Sequence, residues 1–153
     1  NSLEIDRYVV FDYKEGHWSM GALARTAGID RGVFKTPVWG APDGSIYNHE
    51  TGFNYDGGEV YAESGPFKIG AGENLAVVTS LIPDELNLGD VTTTFKTRLY
   101  PTSTETSHGP YTMTQPTSVR LQGRQVRMKV TGNTPSAWRV GRFRFEAKQG
   151  GKR

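Results

Sequence analysis

The 153-residue chain has no cysteine. This excludes a disulfide framework, thiolate metal sites and cysteine nucleophiles, and it leaves the redox compartment open. No apolar run approaches the roughly 20 residues that a membrane-spanning helix needs, and no signal peptide opens the chain, so a soluble protein is expected. Histidine is scarce: His17, His49 and His108 lie far apart, which argues against a zinc site. There is no G-x-S-x-G elbow, P-loop or H-E-x-x-H. Gly70-Ala71-Gly72-Glu73-Asn74 precedes a strand pattern and lacks a following helix to hold phosphate, so it reads as a turn. In a strand His49 and Glu50 would point to opposite faces, and Asp84-Glu85 follows Pro83 as a solvated loop. No active site assembles from these residues, and no cofactor or metal is expected.

Helical periodicity is also missing. The best helical candidate, Met20 to Ala27, contains Gly21 and is compatible with a strand. What the chain does contain is aromatic and β-branched segments punctuated by 19 Gly and 8 Pro, the pattern of a turn-rich all-β fold. Arg7 to Lys14 turns through Glu15-Gly16 into His17 to Leu23, which predicts a hairpin. Val33 to Trp39 and Ser45 to His49 form a second pair, joined through Gly40 to Gly44, where Asp43-Gly44 supplies the positive φ of a tight turn. Four short strands in this space resemble a propeller blade, or pieces of two. Asn54 to Gly58 breaks the pattern and divides residues 1–58, propeller-like, from 59–153, an antiparallel β-sandwich.

In the second part, Asn74 to Ile82 is an almost unbroken apolar run, expected to be buried on both faces until Pro83 ends it. In Val91 to Tyr100, Val91, Thr93, Phe95, Thr97 and Leu99 alternate with Thr92, Thr94, Lys96 and Arg98, so one face is core and the other wet. Thr102 to His108 reads as an exposed hairpin tip. Two further strands, around Val119–Gln122 and Val126–Val130, read as a hairpin hinged at Gly123. In the last strand Phe143, Phe145 and Ala147 alternate with Arg142, Arg144, Glu146 and Lys148. Three neighbouring strands would then show one basic outer face carrying Arg120, Arg127, Lys129, Arg142, Arg144 and Lys148 over an apolar inner face.

The net charge of +2 hides an asymmetry: residues 1–118 carry 8 Lys and Arg against 15 Asp and Glu, net −7, whereas residues 119–153 carry 10 against Glu146 alone, net +9. A polyanion or an acidic protein surface is the expected partner of the basic end. Alternating Arg and Lys on a sheet would sense phosphate charge without reading sequence, so any contact with double-stranded DNA would be non-specific. Trp18, Trp39 and Trp138 read as core or interface anchors before base- or sugar-stacking platforms.

Several runs carry a family resemblance: EGHWSMGALARTAGIDRGVFKTPVWGAPDGSIYNHETGF, ESGPFKIGAGEN, FKTRLYPTSTETSHGPYTM, SVRLQGRQVRMKV and the ending WRVGRFRFEAKQGGKR. Together they resemble the C-terminal region of the tail hub, nozzle or packaged-DNA-stabilisation proteins of short-tailed bacteriophages. The chain begins at Asn1 and enters a strand pattern within a few residues, which fits a C-terminal piece of a longer protein. The resemblance implies a non-enzymatic virion component of the tail. It would be a homo-oligomeric ring, commonly sixfold, that contacts other tail and portal proteins and retains and conducts packaged DNA. The alternative is a carbohydrate- or receptor-binding β-sandwich of a tail adhesin, with Trp and Tyr beside acids such as Asp56 or Glu63. A glycan-degrading enzyme would instead need two carboxylates facing each other across a cleft.

Overall fold

The computed structural model describes residues 3–53, 55, 58–70, 74–83, 91–113, 115–132, 135 and 137–152. Asp56, Ala71 to Glu73, Asp84-Glu85 and Arg153, all weighed from sequence, lie outside these. The described residues contain no helix: the fold is all-β, with its strands in several antiparallel sheets. The chain forms two compact units, residues 1–58 and 59–153.

In the first unit, β1 (Arg7–Asp12) and β2 (His17–Ala22) pair as a hairpin with Phe11 opposite Trp18 and Val9 opposite Met20. The turn is held by Asp12, whose carboxylate accepts the amides of Lys14 and Glu15 and whose carbonyl accepts that of Gly16 at 2.8 Å. A separate sheet contains β3 (Ala27–Ile29), β4 (Val38–Gly40) and β5 (Ile46–Asn48), with β4 in the middle. Gly44 has φ +87° and closes the β4–β5 turn, and the Ser45 amide, bonded to the Asp43 carboxylate, holds that carboxyl below its ordinary pKa. The expected second pair is therefore present, shorter than its apolar pattern, and Met20 to Ala27 is strand and connection. A two-stranded and a three-stranded sheet do not make a four-stranded blade.

The second unit is a β-sandwich. Its larger sheet runs in the order β10 (Thr106–Thr112), β9 (Thr92–Arg98), β12 (Gln125–Thr131), β6 (Tyr61–Glu63), with β7 (Phe67–Lys68) also on β12. Between β6 and β7 the Ser64 hydroxyl accepts the Met128 amide at 3.0 Å, filling the break in the ladder. The smaller sheet is β11 (Thr117–Gly123), β8 (Ala76–Ile82), β13 (Arg144–Gln149). Val78 and Leu81 of β8, Val119 and Leu121 of β11, Phe95 of β9, and Val126 and Val130 of β12 meet Val91 and Met113 in a single core. Each fully buried large side chain contributes about 1.5–3 kcal/mol.

The alternation of β9 is realised: Thr93, Phe95 and Thr97 are buried. The two hydroxyls are satisfied by Met113 Sδ at 2.8 Å and His108 Nε2 at 2.9 Å. Strand β8 departs from expectation. Ala76, Val78 and Leu81 are buried but Val77, Thr79, Ser80 and Ile82 are only half-buried, because a single sheet covers one face. A second departure lies at Gly123. β11 and β12 do not form a hairpin: β11 pairs with β8 and β12 with β9, so the chain turns a corner between the sheets across Arg124. A Cβ on Gly123 would stand 3.0 Å from Thr97 Cβ and 3.3 Å from the Arg98 carbonyl, so the corner needs glycine for the close approach.

Candidate interaction surfaces

The corner at Gly123 redistributes the basic residues. Arg120, Arg127, Lys129, Arg142, Arg144 and Lys148 do not share one face. Arg127 and Lys129 lie on β12 in the larger sheet. Arg120 lies on β11, and Arg144 and Lys148 on β13, flanking β8 in the smaller sheet, while Arg142 sits in the exposed stretch before β13. The alternation within β11 and β12 is as expected, whereas every residue of β13 is exposed, Phe145 and Ala147 included, and the assignment of strands to sheets is a non-local fact that alternation does not carry.

On the larger sheet the register sets Arg127 opposite Lys96 and Gln125 opposite Arg98 on the outer face. Adjacent cations there are held by acids that arrive from elsewhere. Glu63 of β6 takes Lys96 at 3.2 Å and Arg127 at 3.4 Å, and Glu105, ahead of β10, takes Arg127 at 3.4 Å and Arg98 at 3.9 Å. Lys129 pairs with Glu59, whose carboxyl is held below its ordinary pKa by that hydrogen bond. Arg98 also donates to Gln125 Oε1 at 2.7 Å and to the Pro101 carbonyl at 2.9 Å. Along β9 and β12 these four cations and three acids form a ladder of largely neutralised charge. Sequence reading missed Glu59, Glu63 and Glu105 as its partners. The available signal was the wet run Lys96–Arg98 on a strand that has to find countercharge, but nothing local says which acids supply it. Glu63, considered as a sugar-binding acid, is occupied in this ladder.

The smaller sheet differs. Arg120 alternates with buried Val119 and Leu121, and Arg144 and Lys148 align with Ile82 and Val77 across β13–β8, with Glu146 between them opposite Ser80. None of Arg120, Arg144 or Lys148 forms an ion pair with a described residue.

The aromatic residues divide by unit. Trp138 covers Gly132 and packs against the core of the second unit, as an anchor should. In the first unit Tyr8 covers Gly21 and Trp39 covers Gly28 in the same way. Arg25 stacks on Tyr47, 4.1 Å from the ring centroid, and donates to His49 Nε2 at 3.0 Å. Glu50 pairs instead with Arg31; both His49 and Glu50 lie past the end of β5, and Glu50 has φ +57°, so strand alternation does not govern the pair. Apart from Pro37, every buried apolar side chain among the described residues belongs to the second unit. The hairpin of the first leaves Val9 64%, Phe11 47%, Trp18 70% and Met20 83% exposed, all on one face, with Phe11 and Trp18 rings 4.5 Å apart. Tyr8 and Val10 are exposed on the other face.

No group of three or more His, Asp or Glu able to hold a metal occurs among the described residues. An open cleft of about 320 Å³ beside Leu75, Arg98, Ser103, Thr106 and Gln122 contains only one charged group, the Arg98 guanidinium already engaged by Gln125, Pro101 and Glu105. No described helix is long and apolar enough to cross a membrane. No protein-family model matches the chain, and no curated protein is significantly similar to it.

Proposed function

We propose that this chain is a structural subunit of a phage tail, at the hub or nozzle, that works by assembling with copies of itself and neighbouring virion proteins into a ring retaining and conducting packaged DNA. The observation that carries this reading is the first unit, which among its described residues buries no apolar side chain but Pro37 while exposing a hairpin apolar on both faces. Exposed apolar surface of this extent marks a protein contact, and a two-stranded hairpin alone is marginally stable in water. Its placement in a tail rests on the sequence resemblance set out above. DNA contact in such a ring would be sequence-blind, weak at physiological salt and made through phosphates. Light scattering tests the reading: a ring-sized mass is expected, and a strictly monomeric protein at all concentrations would count decisively against it.

A second reading, a glycan-binding adhesin module, is favoured by one feature. Trp39 and Tyr47 pair across β4–β5 on a face that also carries Arg25 and His49, a platform on which a sugar ring could stack. A glycan array decides it, with binding lost in Trp39→Ala.

A further inference from the structure

We infer that the β1–β2 hairpin is an arm that docks onto the outer face of β11–β8–β13 in a second copy of this chain; this rests on the assembly reading and names its contact surfaces. The residues Val9, Phe11, Trp18 and Met20 together expose roughly 500–600 Å². With the exposed Ile5 and Tyr13 added, the arm approaches the roughly 800 Å² that each partner contributes to a stable interface.

Charge selects the acceptor. The arm carries Glu4, Asp6, Asp12 and Glu15 against Arg7 and Lys14, net −2, with Arg7 at one end of the apolar face and Asp12 on the opposite face. On the larger sheet Lys96, Arg98, Arg127 and Lys129 are already taken by Glu59, Glu63 and Glu105, which leaves the single Lys68 at its β7 edge. The smaller sheet presents Arg120, Arg144 and Lys148 against Glu146 alone, and those three cations are unpaired among the described residues. Their aliphatic stems and the half-buried Val77 and Ile82 give the apolar face something to cover, and a guanidinium on the exposed Trp18 ring adds a cation–π contact. The lengths agree as well: six paired positions in the arm span about 20 Å and the seven residues of β8 about 23 Å. An arm on one surface and its acceptor on another make a head-to-tail contact, which leaves one of each unfilled until a ring closes.

The absence of cysteine makes the test direct. Met20→Cys and Ser118→Cys variants of the full chain are mixed, allowed to exchange, and treated with a short bismaleimide. A cross-link between unlike copies is expected, and it should vanish when the Ser118→Cys copy also carries Arg120→Glu, Arg144→Glu and Lys148→Glu. That triple reversal, with its far-UV circular dichroism unchanged, should weaken assembly at least about tenfold. A ring-sized species without the cross-link overturns the arm assignment and leaves the assembly reading standing, whereas a protein monomeric throughout overturns both. Cross-linking of Met20→Cys to itself, or a triple reversal that lowers affinity for a 30-base-pair duplex while assembly is intact, also overturns the assignment.

Discussion

Glu63 is the residue through which the charge ladder can be broken most cleanly. It is four-fifths buried at its side chain and holds two cations, Lys96 and Arg127, that stand opposite each other in the β9–β12 register and would otherwise repel. Partly shielded pairs of this kind contribute up to about 1 kcal/mol each, so Glu63→Gln should cost about 1–2 kcal/mol and lower the melting temperature of the second unit by roughly 5–10 °C. Arg127→Met alone removes contacts to both Glu63 and Glu105. In the double variant the loss should fall short of the sum by about 0.5–1 kcal/mol, the coupling between the two groups. Urea melts followed by circular dichroism measure all four corners of the cycle, first at low salt and then at 0.5 M NaCl, where the coupling should shrink as solvent-facing charge is screened. A coupling below about 0.3 kcal/mol at low salt would refute the reasoning. The Glu63–Arg127 pair would then contribute nothing measurable to the fold.

Phe95 is fully buried with its ring 5.8 Å from that of Phe145 and 6.1 Å from that of Tyr111, so Phe95→Ala should cost about 3–5 kcal/mol in the second unit, read as a fall in urea midpoint. Glu59 has its pKa lowered by Lys129, so its contribution to stability is present above the ordinary carboxylate range and lost as pH falls through the depressed value. Stability measured from pH 6 to pH 2.5 should decline less steeply in Glu59→Gln. The Trp138 indole N–H makes no hydrogen bond to a described residue while its ring covers Gly132; Trp138→Phe should be near neutral in thermal melts, and Trp138→Ala should cost about 2 kcal/mol or more. A side chain at Gly123 meets Thr97 Cβ and two carbonyls at once, and Gly123→Val should destabilise by about 1–3 kcal/mol in the same melts.

The local grammar of the fold was legible in the sequence wherever a period of two coincided with a buried face. Thr93, Phe95 and Thr97 turn inward and Lys96 and Arg98 outward because a one-residue slip would bury the charges. The Asp12 to Gly16 and Ala41 to Gly44 turns were equally readable, since their residues supply the hydrogen bonds and backbone angles of tight turns. What could not be read was the partner of each strand. The run from Ser118 to Val130 has the same alternation whether it folds back on itself at Gly123 or passes from one sheet to the other. The steric reason for the passage, Thr97 and Arg98 pressing on Gly123, lies 25 residues away. The charge surfaces inherit this ambiguity, because Arg127 is neutralised and Arg144 is not solely according to which sheet receives each strand.

The first unit exposes a different limit. Alternation reports a core only when one face of a strand is polar, and RYVVFD with HWSMGA is apolar on both: Val9, Phe11, Trp18 and Met20 on one side, Tyr8 and Val10 on the other. Such a strand pair in a finished globule belongs in the middle of a layered structure, as parallel sheets do, yet here every residue of β1 and all but one of β2 are exposed. The local sequence is therefore consistent with an interior that the described residues of the first unit do not supply. The same composition that makes a strand look like core makes it, when uncovered, an assembly element. The glycine-covering aromatics Tyr8 and Trp39 show how far the unit goes on its own, shielding backbone without building a core. It follows that association should stabilise the first unit more than the second: the hairpin's amide protons should gain protection from exchange as protein concentration rises, while those of β9 and β12 stay unchanged.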